Sequence, residues 1–247
     1  MWQAHGVIQA CLNGRRTAAD HGAVPLTPAQ LAAAARTAMA AGADSVHLHP
    51  RDDEGQETLV IAWVEPAVRA VRQACPGLPV GVSTGLWMCG EDAAARQVAV
   101  QDWAAAEDRP DFASVNLSEP GFKGLTQTLR ELGVGVEAGV WSEHDAAGLL
   151  AGSSADSCTR ILVELIDMPA PQALLSADRI VAMLRKAEVS APILLHGEGA
   201  STWPVLDKAL SMGLETRIGL EDTLTDPAGD VVADNDTLIR IALSRKP

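Results

Sequence analysis

Tyrosine is absent from this 247-residue chain, and phenylalanine occurs only twice. So few flat rings leave little material for stacking the bases of a single strand. Positive charge is also scarce, with 19 Lys plus Arg against 32 Asp plus Glu and a formal net charge of −13. That balance argues against a nucleic-acid partner, whose backbone is held by neutralising phosphates. No run of 18 uninterrupted apolar residues occurs, so neither a transmembrane helix nor a membrane partner is expected. The opening MWQAHGVIQACLNG has no basic segment ahead of its apolar one, so no secretory signal is expected. The cysteines, Cys11, Cys75, Cys89 and Cys158, show no CxxC spacing. They read as free thiols of a reducing compartment, which predicts a cytoplasmic location.

What is present is apolar material in short, regular pieces. The chain is 47% hydrophobic, enough for one substantial core. Strand-length apolar runs fall at 7–13, 45–50, 79–84, 112–117, 133–140, 160–167, 191–197 and 215–221. Each is followed by a helical pattern, at 27–42, 63–77, 91–107, 121–133, 142–152, 176–188, 201–213 and 235–245. Thr27 and Pro28 supply an N-cap and a first helical residue, Gly42 a stop, and Ser142 opens a Ser-x-x-Asp box. Ser176 resembles such an entry without the acid. Eight strand–helix units without a hairpin signal predict a (β/α)₈ TIM barrel occupying residues 1–247 as a single domain. A doubly wound open sheet is the alternative, but it gathers its chemistry at one switch point.

Here nearly every run ends in polar side chains. They are Asn13; His47 and His49; Ser83 and Thr84; Asn116; Glu137; Glu164 with Asp167; His196 with Glu198; and Glu221 with Asp222. Such a series is expected of the active rim of a barrel. His47 and His49 stand two apart on a strand and share a face. In a closed barrel strand 8 lies beside strand 1 and strand 1 beside strand 2, so Glu221 can reach the pair. Two histidines and a carboxylate with an open position make a catalytic metal set, suited to zinc, with iron and manganese as alternatives. Arg217, of the same parity as Glu221, needs an anionic partner, which Asp222 or a substrate carboxylate would provide. Arg15, Arg16 and Arg51 make the rim locally basic. Glu137 reads as a general base, a hydrogen-bond acceptor for substrate or an orienter of a metal ligand. Ser83 has no histidine paired to it in the sequence, so it reads as a substrate contact and not a nucleophile. Thr84 and Asn116 join it as candidate substrate contacts.

Several of these stretches together are distinctive. HLHPRD at 47–52 preceded by AGADSV, VGVSTG at 80–85, RIGLED at 217–222 and PLTPAQLAAAA at 25–35 resemble the β-keto acid cleavage enzymes, the family of 3-keto-5-aminohexanoate cleavage enzyme. The resemblance runs over nearly the whole chain. It implies a zinc-dependent barrel assembling as a homo-oligomer, a tetramer or dimer. Its reaction condenses a β-keto acid with acetyl-CoA and releases acetoacetate plus a new acyl-CoA. Carried over, it implies His47, His49 and Glu221 as metal ligands, and Arg217 with Asp222 as the deprotonating pair. Ser83 then matches a substrate-contacting serine and Glu137 a strand-5 glutamate. One departure bears on substrate. Gly14-Arg15-Arg16 stands where the amino-recognising member carries a glutamate, which favours a β-keto acid without an amino group. Glu164 and His196 also depart from the family pattern and are expected to shape the substrate pocket. The competing expectations are a metal-dependent aldolase or hydrolase of keto acids without acyl-CoA, and a non-catalytic metabolite-binding barrel.

Overall fold

The computed structural model describes residues 7–152 and 155–246. Residues 1–6, part of the stretch read for a secretory signal, lie outside that set. Strands and helices alternate through the described residues: β1 (Ile8–Cys11), α1 (Pro28–Ala41), β2 (Ser45–Leu48), α2 (Ile61–Ala74), β3 (Val80–Ser83), α3 (Ala93–Gln101), β4 (Phe112–Asn116) and α4 (Phe122–Glu131). The second half continues with β5 (Gly135–Val140), α5 (Glu143–Ala151), β6 (Arg160–Leu165), α6 (Ala170–Lys186), β7 (Ile193–Gly197), α7 (Thr202–Ser211), β8 (Thr216–Ile218) and α8 (Asn235–Ser244). All named strand pairs are parallel, in the order β7-β6-β5-β4-β3-β2-β1-β8. The sheet closes where Leu195 N–H donates to Glu215 O at 2.9 Å and Glu215 N–H donates to Ile193 O at 3.1 Å. The expected TIM barrel is therefore the fold, and the open-sheet alternative is not. No helix among the described residues is long and apolar enough to cross a membrane.

Local signals account for most helix boundaries. Thr27 caps α1 in a full capping box with Gln30, Pro28 stands in the first turn, and Gly42 ends the helix at φ 108°. Ser142 caps α5 by accepting from Asp145 N–H. The structure corrects α6, which begins at Ala170, six residues before Ser176. Pro169 and Pro171 preset the backbone there, and a proline in the first turn forfeits no hydrogen bond.

Because parallel strands are covered on both faces, alternation sorts their side chains into two populations. Val46, Leu48, Val80, Val82, Val136 and Ala138 join the apolar layer beneath the helices. The opposite parity fills the barrel lumen, and there it is mainly polar. At the closed end Glu137 accepts from Gln9 Nε2 at 3.0 Å and lies 3.4 Å from Arg160, which also approaches Glu215 at 3.2 Å. Phe112 lies under Arg160 and fills the space left by the missing side chain of Gly81.

Candidate metal centre and substrate pocket

The two histidines arrive at the carboxyl end of β2. Cys11 of β1 pairs with His47 in register. One step on, Asn13 extends that pairing with its side chain: Oδ1 accepts from His49 N–H and Nδ2 donates to His49 O, both at 2.9 Å. Asn13 therefore fixes the backbone from which His49 projects.

Glu221 comes from the turn after β8, and two glycines make its approach possible. A Cβ on Gly219 would stand 1.8 Å from the carbonyl oxygen of Cys11, and one on Gly14, at φ +54°, would stand 2.3 Å from Glu221 Cγ. Without those side chains the Gly219–Asp222 turn lies against β1 and carries Glu221 across to β2, closed by a 2.9 Å bond from Asp222 N–H to Gly219 O. His47 Nε2 and His49 Nε2 are then 3.2 Å apart, and His49 Nε2 is 3.7 Å from Glu221 Oε2. All three ligand atoms fall within 4.8 Å of one another.

This donor set fits a zinc-like ion. Two atoms each bound about 2.0–2.1 Å from a tetrahedral ion stand roughly 3.3 Å apart, close to the 3.2 Å between the two histidines and somewhat less than the 3.7 Å from His49 to Glu221. Glu221 Oε1 is engaged by Arg217 Nη2 at 2.8 Å, while buried Oε2 has no hydrogen-bond partner. His49 Nδ1 faces the carboxylate of Glu57, which also accepts from Trp87 Nε1 at 3.1 Å. With an ion bound, the nitrogen facing that carboxylate would keep its proton and Nε2 would offer its lone pair to the metal.

Without an ion, the surrounding charges favour a proton on His49. Burial opposes ionisation of His49, but Glu221 and Glu57 outweigh it and lift its pKa to about 9. Burial pushes His47 the other way, to about 3, with His49 and Arg217 adding to the effect. Glu221 stays ionised well below the usual carboxylate range: burial works against this, and Arg217, His49 and His47 prevail.

Arg217 is buried and satisfied by protein. It donates to Asp222 Oδ1 from Nε at 3.1 Å and from Nη2 at 2.8 Å, while Asp222 Oδ2 is buried without a partner. Of the two partners expected for Arg217, Asp222 is therefore the one in contact. Burial raises the proton affinity of Asp222 despite the opposing charges of Arg217 and His196. His196 stands 3.5 Å from Asp222 Oδ1 through Nδ1 and 3.4 Å from Glu164 Oε2 through Nε2. Glu164 also accepts from Trp141 Nε1 at 3.1 Å. Its position depends on Gly139 of β5, where a Cβ would meet Glu164 Oε1 at 2.9 Å and Asn116 Oδ1 at 2.5 Å.

A cavity of about 400 Å³ opens over these groups. Its wall includes His47, His49, Glu221, Arg217, Ser83, Asn116, Glu164 and Arg15 among the sequence candidates, with Asp222 and His196 immediately behind. Three candidates are elsewhere. Glu137 lies deeper in the lumen with Gln9 and Arg160, outside the cavity wall. The Thr84 hydroxyl donates to Ser114 O at 2.6 Å, joining β3 to β4. Arg51 donates to the carbonyls of Gly14 and Arg16 and so holds the loop after β1. Glu57, Trp87 and Trp141 are site residues that the sequence reading missed. The turn signal Asp52-Asp53-Glu54-Gly55 could have disclosed Glu57, because Asp52 caps Glu54 and Gln56 and folds the chain back, pairing Arg51 with Glu57. The indoles carried no comparable pattern.

Known proteins give this geometry a family. The chain is 25% identical to the 3-keto-5-aminohexanoate cleavage enzyme of Fusobacterium nucleatum subsp. nucleatum, over 94% of this chain and 88% of that one. It is 34% identical to the enzyme of the same name from Acetoanaerobium sticklandii over a shorter stretch, 32% of this chain and 29% of that one. Among solved structures, apo ObcA superposes with a TM-score of 0.70 at 19% identity, covering 90% of this chain. This chain spans only 61% of the ObcA chain's length. ObcA has also been solved in a binary complex with oxaloacetate, TM-score 0.69, where 19% identity and 90% of this chain against 63% of that one apply. Its ternary complex with a C4-CoA adduct and oxalate matches at TM-score 0.70 with the same identity and coverages. At that identity these likenesses speak for the fold. The family model, by contrast, matches residues 6–167 and 168–244, and the chain belongs to the beta-keto acid cleavage enzymes.

Proposed function

We propose that this protein is a zinc-dependent acyltransferase that condenses a β-keto acid with acetyl-CoA and releases acetoacetate and a new acyl-CoA. The observation that carries the reading is the meeting, at one cavity, of the His47–His49–Glu221 donor set with Arg217 in the same wall and Asp222 bonded directly behind it. His47, His49 and Glu221 would hold a divalent ion, which would supply Lewis-acid stabilisation of negative charge developing on the substrate. Asp222 takes the α-proton at Oδ2 and later returns it. Arg217 immobilises Oδ1, so the base is held in one orientation, and its buried setting strengthens it as a base. Ser83 Oγ accepts from Gly85 N–H at 3.3 Å, leaving the hydroxyl proton for a substrate oxygen. Asn116, held by Glu119 at 2.8 Å, and Glu164 bound the far side of the substrate. The complexes of ObcA with oxaloacetate and with a C4-CoA adduct support keto acid and coenzyme A as the reactants.

For the substrate's distal group, Arg15 and Arg16 at the mouth support a β-keto acid without an amino group. Other residues of the wall favour a second reading. Glu164, Asp167 and Glu198 beside Trp141 would suit a cationic distal group. We further propose a cytoplasmic homo-oligomer, a tetramer or dimer, in keeping with the family resemblance. The test combines metal analysis with acetoacetate release from neutral, anionic and amino-bearing β-keto acids in the presence of acetyl-CoA. We expect about one zinc per chain, CoA-dependent acetoacetate and fastest turnover of a neutral or anionic acid. Preference for the amino-bearing acid would transfer recognition to the Glu164 wall. Metal without acetoacetate from any acid would overturn the acyl transfer and leave an aldolase, hydrolase or binding barrel.

A further inference from the structure

The carboxylate of Glu57 has no part in the reaction described above, yet it is committed to two donors at the metal centre. Glu57 belongs to neither β2 nor the RIGLED turn. It stands eight residues beyond His49, on a turn that the Arg51–Glu57 bridge folds back against the strand end. One oxygen meets His49 Nδ1, and the other accepts from Trp87 Nε1 at 3.1 Å. The Trp87 ring lies nearly parallel to the His49 ring, 23° apart with centroids at 6.5 Å, and Arg15 covers the indole at 5.6 Å. Gly85 leaves the room in which that indole folds back, since a Cβ there would meet the ring at 2.1 Å.

We propose that Glu57 is a positioning residue for the metal ligand His49, with Trp87 as the clamp that holds the carboxylate in place. The rationale is geometric. A neutral imidazole ligates through one nitrogen and must carry its proton on the other, and a carboxylate opposite Nδ1 selects the tautomer with Nε2 bare. It also stops the ring turning about its bond to the chain. Of the other two ligands, Glu221 is held by Arg217 Nη2 at 2.8 Å, whereas His47 Nδ1 is buried without a hydrogen-bond partner. Orientation of the pair of histidines therefore depends on His49, and that orientation depends on Glu57. The indole of Trp87 fixes the carboxylate's second oxygen and keeps it from rotating away.

This inference rests on the reading that His47, His49 and Glu221 bind a divalent ion, and the test separates the two. Zinc affinity is measured by chelator competition on metal-stripped wild type, E57A and E57Q, together with the melting temperature of each stripped protein. The ¹⁵N signals of the imidazoles, recorded on stripped protein above the pKa of about 9 that His49 has without metal, report the tautomer. We expect wild type to bind zinc and E57A to bind it about 10–100-fold more weakly. The Nδ1-protonated signature of His49 should be lost in E57A. E57Q should also weaken binding, because one amide oxygen cannot serve both the imidazole and the indole while its NH₂ group faces the remaining donor. A loop-anchoring role alone would lower the melting temperature of E57A but leave the folded protein's zinc affinity and the His49 signature intact, and that result would overturn the proposal. Failure of wild type itself to bind zinc would overturn the metal reading and this inference with it. Wild-type affinity retained in both variants would overturn only the role of Glu57.

Discussion

Asp222 gives one carboxylate oxygen to Arg217 and leaves the other buried and unpartnered, beside a ligand set it does not join. Asp222→Asn keeps the shape and an acceptor for Arg217 while removing the basic oxygen. Turnover should fall about 10²–10⁴-fold, the usual contribution of a positioned general base, with zinc content unchanged. Elemental analysis beside steady-state rates checks this, and a variant that loses its metal in parallel would make Asp222 structural. The residues that form this centre were largely legible as side chains at strand ends: two histidines of one parity, and Glu221 and Arg217 of another shared parity. Their depth was not legible. Period-two alternation says that Glu137 faces the lumen, but not how far along the barrel axis it sits. Its contacts with Gln9 and Arg160 put it below the cavity. Thr84 and Arg51 are polar near strand ends for another reason, because they satisfy backbone carbonyls of neighbouring segments.

The segment from β8 through the turn that follows shows how little backbone carries the centre. Only Thr216–Ile218 are strand, and Gly219 then passes so close to Cys11 that no side chain fits. Gly219→Ala would push Cβ into the backbone of β1, a clash that no flexible side chain can relieve. The expected result is destabilisation of at least about 1–3 kcal/mol, the range for overpacking a filled interior. Zinc affinity should fall in the same variant, because Glu221 is two residues on. A melting curve and a zinc titration of G219A test both, and a variant of wild-type stability and affinity would show that the turn can relax. Strand and helix order was readable from alternating apolar runs and caps such as Thr27 and Ser142. The start of α6 was not, because Ser176 imitates an entry while Pro169 and Pro171 determine it. Glu57 escaped notice for a related reason: its function comes from a turn that brings it back to His49, and spacing along a strand says nothing about such a return.

Closing eight strands into a barrel places a set of charges in one buried lumen, and the folded protein's pH response follows from them. In the metal-free state His49 is raised to about 9 and His47 lowered to about 3, against about 6.5 for an unfolded histidine. A raised group lends stability that is complete below its unfolded pKa and is lost as pH climbs through the folded one. His49 therefore withdraws support between about pH 6.5 and 9, at up to about 1.4 kcal/mol per pH unit. A depressed histidine has the opposite course: His47 supports folding above about 6.5, and that support is lost as pH falls toward 3. Asp222 and Glu137, raised by burial, take up protons in the folded state and offset part of that acid-side loss. Metal-free protein should consequently melt highest near pH 6.5 and lose stability as pH rises toward 9. Zinc should reverse that alkaline arm, because an ion on Nε2 replaces the proton whose loss costs stability, and its binding competes less with protons as pH rises. Melting temperatures of stripped and zinc-loaded protein from pH 6 to 9 provide the measurement. A stripped protein whose melting temperature stays level across that range would show that His49 is not held protonated between Glu57 and Glu221, and that the three ligands are not poised as their separations suggest.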